Sequence, residues 1–126
     1  MQVISLEKAA GLVKDFNTLM IGGSGGGHAV PEALIVALGK HYQQTGSPKQ
    51  ITLFHPVGIG DNISQGVGHL AHPGMVKRIV TSALVNSPAF QKLAAENKVE
   101  TYTLPQGALS QLVREMAAKR PGLLTQ

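Results

Sequence analysis

The stretch TLMIGGSGGGHAVPEALIVAL, residues 18–38, decides the fold. It opens with an apolar run, Thr18 to Ile21, of the length of a buried strand. Five of the six residues 22–27 are glycine. Pro31 then suits the first turn of a helix, where its missing N–H is not needed, and apolar residues recur at helical spacing up to Leu38. We therefore predict a strand, a glycine loop and a helix in immediate succession.

The rest of the chain repeats this order of elements. Apolar periodicity and the turn residues between periodic segments predict helices at 5–17, 31–46, 87–96 and 107–118, and further strands at 50–55, 75–82 and 99–104. The segment 75–82 is ambiguous as a strand. A helix followed by about four strand–helix units is typical of an α/β fold, with an open, mainly parallel sheet and helices on both faces. We expect one domain over residues 1–126.

Composition excludes several classes of function. The chain has no cysteine, so disulfides, thiolate metal sites and thiol catalysis are ruled out. Its formal charge of +4 comes without a dense basic run, so we expect no nucleic-acid partner. No apolar run reaches about 18 residues, and the first residues lack the regions of a signal peptide. We therefore expect a cytoplasmic protein that does not contact a membrane.

The glycine loop is the first candidate binding element. A P-loop needs a lysine after its last glycine, and a dinucleotide fingerprint needs a third glycine at position 28, but this sequence has His28-Ala29 there. One or two glycines would make a tight turn, whereas five leave backbone N–H groups free to approach a ligand. The helix N-terminus behind the loop favours negative charge. The candidate residues are Gly23, Ser24, Gly25, Gly26, Gly27 and His28.

Two further loops follow predicted strands and should lie at the same edge of the sheet. They contribute the candidates Pro56, Val57 and Gly58, and then Gln106 and Gly107. Together with the glycine loop they predict one wall of a pocket for an anionic ligand, without an obvious base or nucleophile. His69 and His72 have a spacing that a metal could use, but we expect a surface pair and no metal site. Ser24 and Ser110 lack the partners of a hydrolase triad.

Four segments, read in order, carry a family resemblance. They are GGSGGGHAVPEALIVALGKHY (22–42), ITLFHPVGIGD (51–61), GVGHLAHPGMVKRIV (66–80) and NKVETYTLPQGALSQLVREMAAKRPGLLT (97–125). This combination resembles the amino-terminal, alpha-type half of the family I CoA-transferases, most nearly the fused acetate/propionate type. Gly22, Gly23 and Pro31 match the family's glycine loop, with Ser24 in place of a phenylalanine and one extra residue before the proline.

The resemblance implies transfer of CoA between an acyl-CoA and a small carboxylate, with CoA as a substrate and no cofactor. It implies a glutamyl-CoA intermediate on a glutamate of the beta-type half, which matches no residue here. It also implies that residues 55–61 and Gln106 line the acyl and oxyanion pocket. No catalytic residue is therefore expected in this chain, which we expect to be inactive without a beta-type half in cis or in trans.

Three expectations remain open at this point. The apolar residues after Gly122 suggest a truncated chain or one half of a larger protein, and its exposed surfaces suggest a homo-oligomer. The alternative function is a stand-alone, non-catalytic module that binds CoA or another phosphorylated ligand. A dinucleotide-binding oxidoreductase domain is disfavoured because the second strand ends in His55-Pro56, without the acid that binds a ribose.

Overall fold

The computed structural model describes residues 2–23 and 29–124. Its helices are α1 (Leu6–Ala10), α2 (Glu32–Thr45), α3 (Pro88–Ala95) and α4 (Gln106–Ala117), with a 3₁₀ helix at Gly66–Leu70. Its strands are β1 (Thr18–Met20), β2 (Ile51–His55), β3 (Val76–Thr81) and β4 (Glu100–Thr103). The strands form one sheet in the order β1-β2-β3-β4, and every neighbouring pair is parallel. The predicted parallel α/β architecture is confirmed, and the ambiguous segment 75–82 is the third strand.

Helix ends follow local chemistry. Ser5 caps α1, since its hydroxyl accepts the Lys8 N–H at 3.2 Å. Gly46 ends α2 in the left-handed conformation, with φ of 71° and its N–H donated to the Tyr42 carbonyl. The first helix ends at Ala10, whereas the periodicity predicts a helix up to residue 17. Phe16 lies at a positive φ of 63°, which a helix does not allow, so the segment after α1 is irregular.

The main core lies on one side of the sheet. Ile51 and Leu53 of β2 and Ile79 of β3 are fully buried there against Ile35 and Leu38 of α2. Burying each side chain of this size contributes roughly 1.5–3 kcal/mol. This layer fixes the positions of the strands, and therefore of the loops that follow them.

The opposite side of the sheet is less covered. Met20, Phe54, Val80 and Tyr102 are in register across the four strands and share this face. Phe54 is buried, but Met20 and Tyr102 are about half exposed, at 47% and 51%. Leu109 of α4 is buried outside the main core cluster, as expected if α4 packs on this second face.

Among the helices of the described residues, none is long and apolar enough to cross a membrane.

Candidate functional site

The first two candidate loops meet at the carboxyl edge of the sheet. The strand contact continues past β1, because the Ile21 N–H donates to the Phe54 carbonyl at 2.9 Å. Just beyond, Gly23 is so close to the second loop that a Cβ placed on it would lie 3.6 Å from Ile59. Gly23 therefore abuts the loop after β2. The other candidates of the glycine loop, Ser24, Gly25, Gly26, Gly27 and His28, lie outside the described residues.

The second loop is tightly packed. Val57 and Ile59 are buried, and so are Gly58 and Gly60. A Cβ on Gly58 would collide with the side-chain oxygen of Asn86, and one on Gly60 would collide with the Asn86 carbonyl. Gly60 also has a φ of 148°, which side chains rarely adopt. Two glycines are thus needed for the loop after β2 to pack against the loop after β3.

Backbone donors are concentrated in this second loop. Within the described part of the chain, no acceptor is found for the N–H groups of Val57, Gly58, Ile59 or Gly60. Buried backbone N–H groups are nearly always paired in native proteins. Four consecutive donors without a described partner, beside Gly23, form a site suited to an oxyanion or another anionic group.

His55 immediately precedes the loop and is 1% exposed. Its Nδ1 lies 2.8 Å from the Val57 carbonyl oxygen and 2.9 Å from the Thr81 hydroxyl oxygen. Burial lowers the pKa of His55, because the interior disfavours the charged ring. Sequence reasoning used His55 as evidence against a ribose-binding acid and, through the family resemblance, as part of the segment 55–61 that lines the pocket. It missed these contacts, which join residues on two strands.

A second side-chain cluster joins α2 to the 3₁₀ helix. The Glu32 carboxylate accepts the Gly66 N–H at 2.9 Å and lies 2.8 Å from Nε2 of His69. His72 instead stacks on Tyr42, with ring centroids 5.8 Å apart. The two histidines thus have different partners, and the described residues contain no group of three metal ligands.

The Asp61 side chain forms hydrogen bonds with the backbone at the end of the second loop. One carboxylate oxygen accepts the N–H groups of Ile63, Ser64 and Gln65 at 2.8–2.9 Å. These backbone hydrogen bonds lower the pKa of Asp61. The carboxylate is therefore already engaged as a structural cap and is a poor nucleophile.

The third candidate loop lies at the far side of the same edge. Gln106 and Gly107 are exposed at the start of α4, and a Cβ on Gly107 would meet open space. The Leu104 N–H donates to the Thr81 carbonyl at 3.0 Å, which extends the β3–β4 pairing up to this loop. Since β4 is three strands from β1, roughly 14 Å separate the ends of these two strands. The structure therefore brings Gly23 and the second loop together and places the third loop at a distance from Gly23.

Together these features define a parallel α/β domain whose carboxyl edge carries backbone donors without an acceptor among the described residues. The model of the coenzyme A transferase family matches residues 3–126, so the chain belongs to that family. It is 37% identical over 123 residues to the acetate CoA-transferase YdiF of Escherichia coli K12, and 34% identical over 122 residues to the caffeate CoA-transferase of Acetobacterium woodii. These matches cover 98% and 97% of this chain, but 23% of each relative.

Solved structures agree with this assignment. The crystal structure of the acyl-CoA transferase YdiF of E. coli O157:H7, a thioester complex with CoA, matches with a TM-score of 0.91 at 37% identity. That match covers 95% of this chain and 25% of the crystallised chain. The decarboxylase AibA/AibB shares the fold, with a TM-score of 0.70 at 17% identity. The chain therefore spans about a quarter of the length of YdiF.

Proposed function

We propose that residues 1–126 form the amino-terminal part of an alpha-type domain of a CoA-transferase. The enzyme moves CoA between an acyl-CoA and a short-chain carboxylic acid, with CoA as a substrate and no other cofactor. Identity of 37% to an acetate CoA-transferase supports this substrate class. A probable CoA-transferase subunit alpha of Bacillus subtilis, 28% identical over 98% of this chain, supports an alpha-type role beside a beta-type half.

The observation that carries the proposal is the set of backbone donors from Val57 to Gly60. A carboxylate that attacks the thioester carbonyl places a negative charge on the carbonyl oxygen. N–H groups fixed before the reaction stabilise that charge, and loss of one such donor costs about 2.7–4 kcal/mol of transition-state stabilisation. Pro56 and the glycine loop complete the proposed acyl pocket, and Gln106 is proposed to reach it from the β4 side.

The covalent steps are proposed to occur on a glutamate outside this chain. Its carboxylate displaces CoA thiolate from the acyl-CoA and forms an acyl-glutamyl anhydride. The thiolate then attacks the glutamyl carbonyl, which releases the first carboxylate and leaves a glutamyl-CoA thioester. The acceptor carboxylate reverses these two steps and leaves as a new acyl-CoA, so the glutamate is regenerated.

The acidic residues of this chain support a nucleophile elsewhere. Six of the seven accept hydrogen bonds or form ion pairs in the structure. Glu32 and Asp61 accept backbone N–H groups, and Asp15 accepts the Ser47 hydroxyl and the Lys49 N–H. Glu96, Glu100 and Glu115 pair with Lys98, Arg78 and Arg120. Glu7 interacts with Ser5 and with its own backbone N–H, which lower its pKa.

An exchange assay with labelled acetate tests the proposal. We expect no acyl-CoA:acetate exchange by this chain alone, and exchange once both the rest of the alpha-type domain and a matching beta-type half complete the enzyme. A beta-type half with its nucleophilic glutamate changed to glutamine serves as the control. Turnover by this chain alone, or a CoA thioester found by mass spectrometry on one of its own acidic residues, would contradict the proposal.

The alternative is a stand-alone module that binds CoA or another phosphorylated ligand without chemistry. Backbone donors without an acceptor among the described residues would suit that function too. Calorimetry with CoA separates the two functions. Tight binding by this chain alone, unchanged when a beta-type half is present, favours the module.

A further inference from the structure

His55 has an unusual environment for a residue next to a proposed anion site. It ends β2, pairs in register with Thr81 of β3, and is almost completely buried. The same nitrogen, Nδ1, approaches both the Val57 carbonyl and the Thr81 hydroxyl. These contacts join the ends of two strands to the loop whose N–H groups have no acceptor among the described residues.

The partners determine which nitrogen carries the proton. A carbonyl oxygen can only accept, so Nδ1 must carry the hydrogen that it shares with Val57. The Thr81 hydroxyl is 3.2 Å from the Ala83 carbonyl and can donate there, so the one hydrogen on Nδ1 is shared between the Val57 carbonyl and the Thr81 oxygen in a three-centre hydrogen bond. Nε2 is then an unprotonated acceptor, and it is buried without a hydrogen-bond partner among the described residues. Among the described residues, the His55 ring therefore makes its hydrogen bonds through Nδ1.

Because the peptide bond is planar, the hydrogen bond from His55 to the Val57 carbonyl also fixes the orientation of the following N–H group. In a trans peptide the C=O and the following N–H point in opposite directions. The Val57 carbonyl points to His55, so the Gly58 N–H of the same peptide points away from His55. Asn86 packs against Gly58 and Gly60 from the other loop and leaves them little room to turn.

We propose that His55 is a positioning residue of the transferase, and that its Nδ1–H holds the Val57 carbonyl so that the Gly58 N–H faces the acyl pocket. This inference rests on the proposed function. His55 does not touch the reacting atoms. It acts through the Val57–Gly58 peptide, so its loss should affect the transition state more than the binding of substrate.

The kinetic test uses the complete transferase, with its beta-type half present. His55→Leu removes the donor, whereas His55→Asn keeps an N–H near the position of Nδ1. We expect kcat to fall by about 10²-fold in His55→Leu, with KM for the acyl-CoA changed by less than about twofold. His55→Asn should recover most of the loss, and His41→Leu, the same change on the α2 helix, is the matched control.

A second measurement on the unsubstituted protein does not depend on activity or on how the variants fold. Long-range proton–nitrogen NMR identifies the protonated ring nitrogen, and we expect it to be Nδ1. A proton on Nε2 would overturn the inference, and so would an unchanged kcat in His55→Leu or equal losses in the Leu and Asn variants. If the complete protein does not transfer CoA, the proposed function fails, and the NMR result alone decides the role of the Nδ1–H.

Discussion

Burial of the His55 ring at the end of β2 couples the stability of the protein to pH. The interior disfavours the charged imidazole, so the pKa of His55 is lower in the folded state than the ordinary value of about 6.5. As the pH falls below this value, the unfolded chain binds a proton at His55 and the folded chain does not. The stability that the neutral ring contributes is therefore present above the unfolded pKa and is lost as the pH falls towards the folded pKa.

We predict that the free energy of unfolding falls more steeply between pH 7 and pH 5 in the wild type than in His55→Asn. The difference in slope can approach about 1.4 kcal/mol per pH unit, the limit for one proton. Urea denaturation at several pH values measures it. The other four histidines are present in both proteins, so their contributions cancel. Parallel curves for the two proteins would contradict the prediction, because they would show that the pKa of His55 is the same in the folded and unfolded chain.

At the scale of elements, close packing requires glycine in the loop after β2 but not at the start of α4. Gly58 lies on the loop after β2 and Gly107 lies in the first turn of α4, but only Gly58 has neighbours that fill the place of a Cβ. We predict that Gly58→Ala destabilises the fold by about 1–3 kcal/mol, because Asn86 and the loop after β3 must shift.

Gly107→Ala is the matched control for this prediction. Gly107 is the second residue of α4 with open space around it, so alanine should be neutral or stabilise the helix by up to about 1 kcal/mol. Thermal or urea denaturation compares the two variants with the wild type. Equal effects of the two substitutions would contradict the packing argument.

The sequence predicts elements better than it predicts contacts between them. The strand, glycine loop and helix at residues 18–38 were predictable because their signals are local: an apolar run, glycines and Pro31. The Glu32–His69 pair was not, since 37 residues separate its members. From the sequence alone, Glu32 is only a carboxylate next to Pro31 at the start of a helix. The 3₁₀ helix that presents His69 has too little periodicity to be predicted.

The same limit applies to the candidate site. Gly58 was identified because glycine after a strand is a local signal, but the fit of Asn86 against it depends on the β2–β3 pairing. His55 had no distinguishing pattern in the sequence, because its partners Val57 and Thr81 become informative only once the two strands are adjacent. The distance of Gln106 from the glycine loop likewise follows from the strand order, which the sequence alone did not give.

At the scale of the whole molecule, one exposed apolar surface lies beside β1. This edge strand pairs only with β2 in the described sheet. A cleft of about 270 Å³ between α1, β1 and α2 is lined almost wholly by apolar residues, including Met20 and Leu34. Both of these side chains are more than 40% exposed. Exposed apolar patches of this kind usually mark surfaces that another polypeptide covers.

We predict that the isolated chain self-associates through this surface, and that Met20→Lys shifts it towards the monomer. The charge would have to lose its hydration for the surface to be covered, which opposes association. Sedimentation velocity over a range of protein concentrations measures the effect. Val85→Lys is the matched control, because Val85 is also exposed but lies on the loop after β3. A wild-type chain that stays monomeric at high concentration, or an equal effect of both lysines, would contradict the role of the β1 edge.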